Sequence, residues 1–275
     1  MQNAGPIGVF DSGYGGLSVL RDIIVKLPEY DYLYLGDNAR APYGNRSFET
    51  VYEYTLQSVR WFFEQGCPLV ILACNTASAK ALRTIQQNDL PEFGDYKRVL
   101  GVIRPTTELI GSLTETGSVG ILATNGTVAS NSYPVEIAKF YPDVKVYQEA
   151  CPMWVPLVEN NEYETPGADY FIKKNLHNLF QQGSQVDVLL MACTHYPLMK
   201  ERIREHVPVQ VKLLSQGEIV ADSLASYLER HPEMARLCSR QGSREFYTTD
   251  STTDFDSQAT RFFGEPVLSH HVQLG

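Results

Sequence analysis

A chain of 275 residues is long for one compact core and comfortable for two, and a composition of 43% apolar and 20% charged residues excludes wholesale disorder. The net charge of −9 disfavours nucleic-acid binding through phosphate neutralisation. No run of roughly eighteen apolar residues offers a membrane span, so no membrane partner is expected. The opening MQNAGPIGVFDSG lacks the basic region and apolar core of a secretory signal, and the expectation is a cytoplasmic protein.

Short β-branched runs alternate with helical patterns along the whole chain. The first run, IGVF at 7–10, ends in FDSGYGG, which places Asp11 and Ser12 before a glycine-rich helix start. The backbone N–H groups of such a turn can hold a carboxylate or a phosphate. Gly13, Gly15 and Ser18 also keep the spacing of a dinucleotide fingerprint whose third glycine is missing. Asp37, after YLYLG (32–36), would then be the ribose-binding acid. A tight turn without a ligand is the third reading. In the polar loop DNARAPYGNRS, Tyr43 and Gly44 either line a cleft or simply turn the chain. In SFETVYEYTLQSVRWFFEQG, Phe48, Val51, Tyr52, Thr55, Val59, Phe62 and Phe63 keep helical spacing between a Ser47 N-cap and a Gly66 stop.

LVILA (69–73) runs into Cys74 and a helix candidate at 76–87. VLGVI (99–103), SVGILA (118–123) and VKVYQ (144–148) read as further strands. CPMWVPLVEN carries Glu159, which its surroundings alone make a solvated helix residue. VDVLLMA (186–192) runs into Cys193, Thr194 and His195, followed by a helix candidate at 196–206. VQVKLLS (209–215), a helix at 216–230 and REFYTT (244–249) complete the series, and His270 and His271 read as surface residues. Compact apolar runs suit strands buried on both faces, and the alternation reads as α/β with mostly parallel sheets.

A faint internal repeat underlies this order. The two apolar-Ala-Cys stretches lie 193 − 74 = 119 residues apart. GVFDSGYGGLSV is echoed by GILATNGTVASN, with Asp11-Ser12 matched to Ala123-Thr124 at an offset of 123 − 11 = 112. Two related α/β halves follow, roughly 1–97 and 98–210, and the last 65 or so residues (275 − 210) must complete one of them. The five cysteines are odd in number and form no CxxC pair, so neither a disulfide framework nor a zinc site is expected.

Ligands of open α/β sheets bind beyond the carboxyl ends of the strands, and both Cys74 and Cys193 fall there. Facing halves would put the two thiols on opposite sides of one cleft. That is the geometry for removing a proton from one face of a carbon and replacing it on the other. The competing reading is two small, buried core residues. His195 either supports a thiolate, acts as an acid, or is structural.

Together the segments GVFDSGYGGLSV, YLGDNARAPYG, ILACNTASA, GVI, ATNGTVAS, ACPMWVPLVE and MACTHYPLM, spread in order over residues 8–199, resemble the cofactor-independent glutamate racemases of the aspartate/glutamate racemase superfamily. The resemblance implies two pseudo-symmetric α/β domains, 1–97 plus 211–275 and 98–210, with the active site in the cleft between them. It implies interconversion of L- and D-glutamate without pyridoxal phosphate, metal or other cofactor. Such a protein supplies D-glutamate for peptidoglycan, and family members commonly form homodimers. By position, Cys74 would deprotonate D-glutamate and Cys193 L-glutamate. Asp11 looks like the acid near the first thiol, and His195 with Glu159 like the pair supporting the second. Ser12, Pro42, Tyr43, Gly44, Asn75, Thr76, Thr127 and Thr194 resemble the substrate contacts. Three positions depart from the family's pattern: Phe10, Thr106 and Asp250. Other readings are a sister racemase acting on aspartate or another substrate, a binding or regulatory protein on the same fold, and a nucleotide-binding oxidoreductase.

Overall fold

A computed structural model describes residues 4–274. Ten strands form two sheets: β1 (Ile7–Asp11), β2 (Tyr32–Gly36), β3 (Leu69–Leu72), β4 (Arg98–Gly101), β5 (Ser118–Ala123), β6 (Lys145–Ala150), β7 (Val188–Ala192), β8 (Lys212–Leu214), β9 (Arg244–Thr248) and β10 (Ser269–His271). The first sheet has the order β10-β9-β2-β1-β3-β4 and the second β6-β5-β7-β8. Every pairing within them is parallel, as the uninterrupted apolar runs require. The inner order 2-1-3-4 recurs as 6-5-7-8, so the repeat at an offset near 115 is a repeat of topology. Strands β9 and β10, from the C-terminal part of the chain, extend the first sheet.

Nine of these strands lie where the apolar runs place them. The tenth, Ser269–His271, has the sequence SHH and two exposed histidines, and gives no apolar signal because it pairs only at an edge. The chain passes between sheets after Gly101 and again after Leu214, a few residues later than the expected 97 and 210. The helix Phe48–Glu64 is capped by Ser47, whose side chain accepts from the Thr50 N–H at 3.2 Å, and is followed by Gly66 with φ 86. The expected helix at 76–87 is broken: Asn75–Lys80 gives way to Leu82–Thr84 and a π turn at Ile85–Asp89. Pro197 sits in the first turn of the segment expected at 196–206, which starts as the 3-10 turn Tyr196–Met199 before Lys200–His206.

One apolar cluster runs through both halves, from Ile7 and Leu17 to Trp154, Met191 and Tyr196. The helix Gly217–Arg230 packs on Gly16–Lys26. At Gly217 an added Cβ would lie 1.8 Å from Asp22 Oδ2, so any larger residue would have to displace the Asp22 carboxylate.

Candidate active site

Both thiols stand where a strand hands over to a turn. Cys74 follows β3 and caps the helix Asn75–Lys80; its Sγ accepts from the Ala77 N–H at 3.5 Å and donates to Ser12 Oγ at 3.5 Å. Cys193 follows β7, the topological counterpart of β3. Each is nearly buried, and both line one cleft together with Ser12, Pro42, Tyr43, Gly44, Asn75, Thr76, Glu159, Thr194 and His195. A larger, open hollow beside Leu228, Arg236 and Arg240 contains neither of these thiols. The cleft is therefore the candidate site on chemical grounds, not on size.

The surroundings of the two thiols differ. Burial pushes the Cys74 thiol up to about 12, and the charges of Asp11 and Cys193 add to the effect against the Ser12 and Ala77 contacts. Asp11 ends β1 fully buried. Its Oδ2 accepts from the Gly13 N–H at 3.0 Å and its Oδ1 from Thr194 Oγ1 at 3.4 Å. Burial raises its pKa above the ordinary carboxyl value, opposed by His195, by the Gly16 and Gly13 N–H groups and by Thr194. Near Cys193, His195 Nε2 meets Glu159 Oε1 at 3.1 Å. Burial disfavours the imidazolium, but contact with Cys193 and Glu159 outweighs it and lifts His195 to about 10. Its Nδ1 is buried without a hydrogen-bond partner among the described residues, closely packed under Gly15. The Phe262 ring meets the imidazole edge-on with centroids 5.2 Å apart.

The remaining expected residues also gather here, with two at one remove. Asp11 and Thr127 do not line the cleft. Thr127 lies behind Thr124, its N–H donating to Thr124 Oγ1 at 3.4 Å. Thr124 itself faces the cleft and pairs with Thr76 at 3.0 Å, hydroxyl to hydroxyl, across the two halves. Thr124 was legible as the repeat partner of Ser12, although it stood outside the expected contacts. Tyr43 is buried and donates a short hydrogen bond to Asp37, which Arg40 Nε also meets at 2.7 Å. That pairing uses the Asp37 carboxylate inside its own loop, and a role for it on a ribose is set aside. The glycine carbonyl of the first turn is fixed from behind by the Tyr34 hydroxyl, which donates to Gly13 O at 2.8 Å.

A sequence profile described as Asp/Glu/Hydantoin racemase matches residues 10–223. The chain belongs to this family. It is 39% identical to a glutamate racemase of Geobacter metallireducens, over 94% of this chain and 92% of the other. Among solved structures it is similar to a glutamate racemase isoform of Bacillus anthracis, with TM-score 0.88 and 31% identity over 98% of each chain. It is equally similar to the glutamate racemase of Francisella tularensis solved with D-glutamate, with TM-score 0.87 and 31% identity over 100% of this chain and 99% of that one. Racemase membership gives the fold its two α/β units and places the chain among isomerases. Of the departures from the family's pattern, Phe10 is fully buried and packs behind Tyr43, ring centroids 6.2 Å apart. Asp250 accepts from the following Ser251 N–H at 2.8 Å and does not line the cleft. Thr106 is buried in a polar joint beside Asn75.

Proposed function

We propose that this racemase interconverts L- and D-glutamate through Cys74 and Cys193. The observation that carries the reading is that two thiols, on equivalent turns of two related sheets, line one cleft. A thiolate takes the α-proton from one face of glutamate, its electron pair passing to the α-carbon. The opposite thiol then delivers its own proton to the other face, leaving the two sulfurs with exchanged protonation. Cys74 serves as base for D-glutamate and Cys193 for L-glutamate. The raised Cys74 value suits the proton-donating state of that thiol, and an imidazolium at His195 is the cation that a thiolate at Cys193 needs.

Asp11 acts beside Cys74, and Glu159 holds His195 beside Cys193. Ser12, Pro42, Tyr43, Gly44, Asn75, Thr76, Thr127 and Thr194 bind or frame the substrate. Hydroxyl, amide and backbone N–H donors suit two carboxylates and stabilise charge that develops at the α-carboxylate during proton removal. No cofactor is needed in this scheme. The first domain runs to about Gly101 and resumes after Leu214, and the second lies between them. The protein works as a homodimer in the cytoplasm, supplying D-glutamate for peptidoglycan.

The test is incubation with L-glutamate in heavy water without added cofactor, followed by circular dichroism and α-deuterium NMR. Loss of optical activity with deuterium uptake is expected. No change with glutamate, but turnover of aspartate, would move the assignment to a sister racemase.

A further inference from the structure

Behind Cys74 lies a closed ring of buried polar side chains. Asn75 Nδ2 donates to Gln216 Oε1 at 2.7 Å, Gln216 Nε2 donates to the Tyr133 hydroxyl at 2.8 Å, and that hydroxyl donates to Asn75 Oδ1 at 2.6 Å. Gln216 Nε2 also meets Val102 O at 3.1 Å and Thr106 Oγ1 at 3.0 Å. All five residues are buried. Val102 and Gln216 precede the helices Ile103–Leu113 and Gly217–Arg230, at the two places where the chain crosses between sheets. Their separation, 216 − 102 = 114, is that of the internal repeat. The ring therefore sits where the two crossings meet.

Its polarity is determined by one group. Val102 O can only accept, so the amide nitrogen of Gln216 must face it. The Gln216 oxygen is then left toward Asn75, which must present its nitrogen. Asn75 Oδ1 is thereby turned to Tyr133, whose hydroxyl can both accept from Gln216 and donate to Asn75. Each side-chain orientation follows from the last. Asn75 lines the cleft next to Cys74 and retains one amide hydrogen outside the ring.

We infer that Gln216 is a positioning residue that fixes the amide of Asn75 as a donor toward a carboxylate of the substrate. The inference rests on the glutamate racemase reading. Thr106, which departs from the family's pattern, serves the same end: its hydroxyl donates to Val102 O at 3.1 Å and shares with Val102 O the one amide hydrogen of Gln216 that Tyr133 leaves. Without the ring, Asn75 is free to turn its oxygen toward the substrate, which a carboxylate rejects.

The test uses Gln216→Met, which keeps the volume and removes both hydrogen-bonding functions, in the wild-type and Asn75→Ala backgrounds. In the wild-type background KM for both enantiomers is expected to rise about tenfold, the scale of one hydrogen bond to a charged group, while kcat changes less than about threefold. In the Asn75→Ala background Gln216→Met should add nothing to KM, because the residue it positions is gone. An equal KM rise in both backgrounds, or an unchanged KM with only a lower melting temperature, would overturn the inference and leave a structural joint. Wild-type enzyme that fails to racemise glutamate would overturn the functional reading and this inference with it; active wild type with an unaffected Gln216→Met variant overturns the inference alone.

Discussion

The two halves share a strand order and place their cysteines on matching turns, yet they surround them differently. Cys74 has a buried carboxyl, Asp11, and the Ser12 hydroxyl nearby. Cys193 has an imidazole braced by Glu159. Backbone repetition therefore accounts for where the thiols stand, and side-chain divergence for how each would handle a proton under the proposed mechanism. Proton transfer across a carbon needs one thiolate and one thiol at a time, in either arrangement, and the unlike surroundings set how readily each sulfur would hold or release its proton.

The strongest way to break this comparison is to remove one thiol at a time. Cys74→Ser and Cys193→Ser should each lower racemisation by roughly 10²–10⁴-fold, the usual worth of a general acid or base. If only one variant were impaired, a single thiol would do both transfers and the symmetry would be incidental. A subtler test exploits the unit equilibrium constant between mirror images. It forces kcat/KM to be equal in both directions in every variant, so asymmetry must be sought elsewhere. In His195→Gln, abstraction by Cys193 becomes the harder step. The primary isotope effect on kcat/KM should then be larger with α-deuterated L-glutamate than with the D-enantiomer. Equal effects would sever His195 from Cys193.

Gly15 links the two environments mechanically. An added Cβ there would lie 2.2 Å from Thr194 Oγ1 and 2.6 Å from His195 Nδ1. Gly15→Ala should therefore lower kcat/KM by about 10- to 100-fold through displacement of these groups. The opposing control is Gly66→Ala, where the added Cβ meets nothing but φ is 86. That variant should lose about 1 kcal/mol of stability with little change in kcat/KM. A reversed pattern would mean that the Gly15 contact is not part of the site.

What the residues alone reveal divides along the same lines. The thiol positions are legible because a buried parallel strand must be an apolar run, and each run ends in Ala-Cys. β10 is not, because an edge strand of three polar residues buries almost nothing. Glu159 is misread by its neighbours in sequence because its partner, His195, lies 36 residues away and only packing brings them to 3.1 Å. The resemblance to known racemases, not spacing, singles it out. Gln216 is equally silent. A glutamine before a helix looks like solvated surface until both chain crossings close over it.

The remaining expected effect is on stability, and it isolates the Cys193 side. His195 is lifted from an ordinary 6.5 to about 10 by Cys193 and Glu159 against burial. Because the folded value is raised, the stabilisation it brings is fully present below pH 6.5 and is lost as pH rises toward 10. Urea midpoints measured across this window should fall more steeply for the wild type than for His195→Gln, by up to the equivalent of one proton. Other groups that titrate in the same range, the lysines and the thiols that do not touch His195, are common to both proteins and largely cancel, so the difference reports the His195–Cys193 pair. Asp11 is also raised by burial, so its own contribution falls with rising pH in the same direction, starting from the ordinary carboxyl value near 3.8. Repeating the pair in an Asp11→Asn background removes that contribution. Parallel midpoint curves in both backgrounds would mean that His195 is neutral in the folded protein, and the two thiols would then differ in shape of surroundings but not in charge.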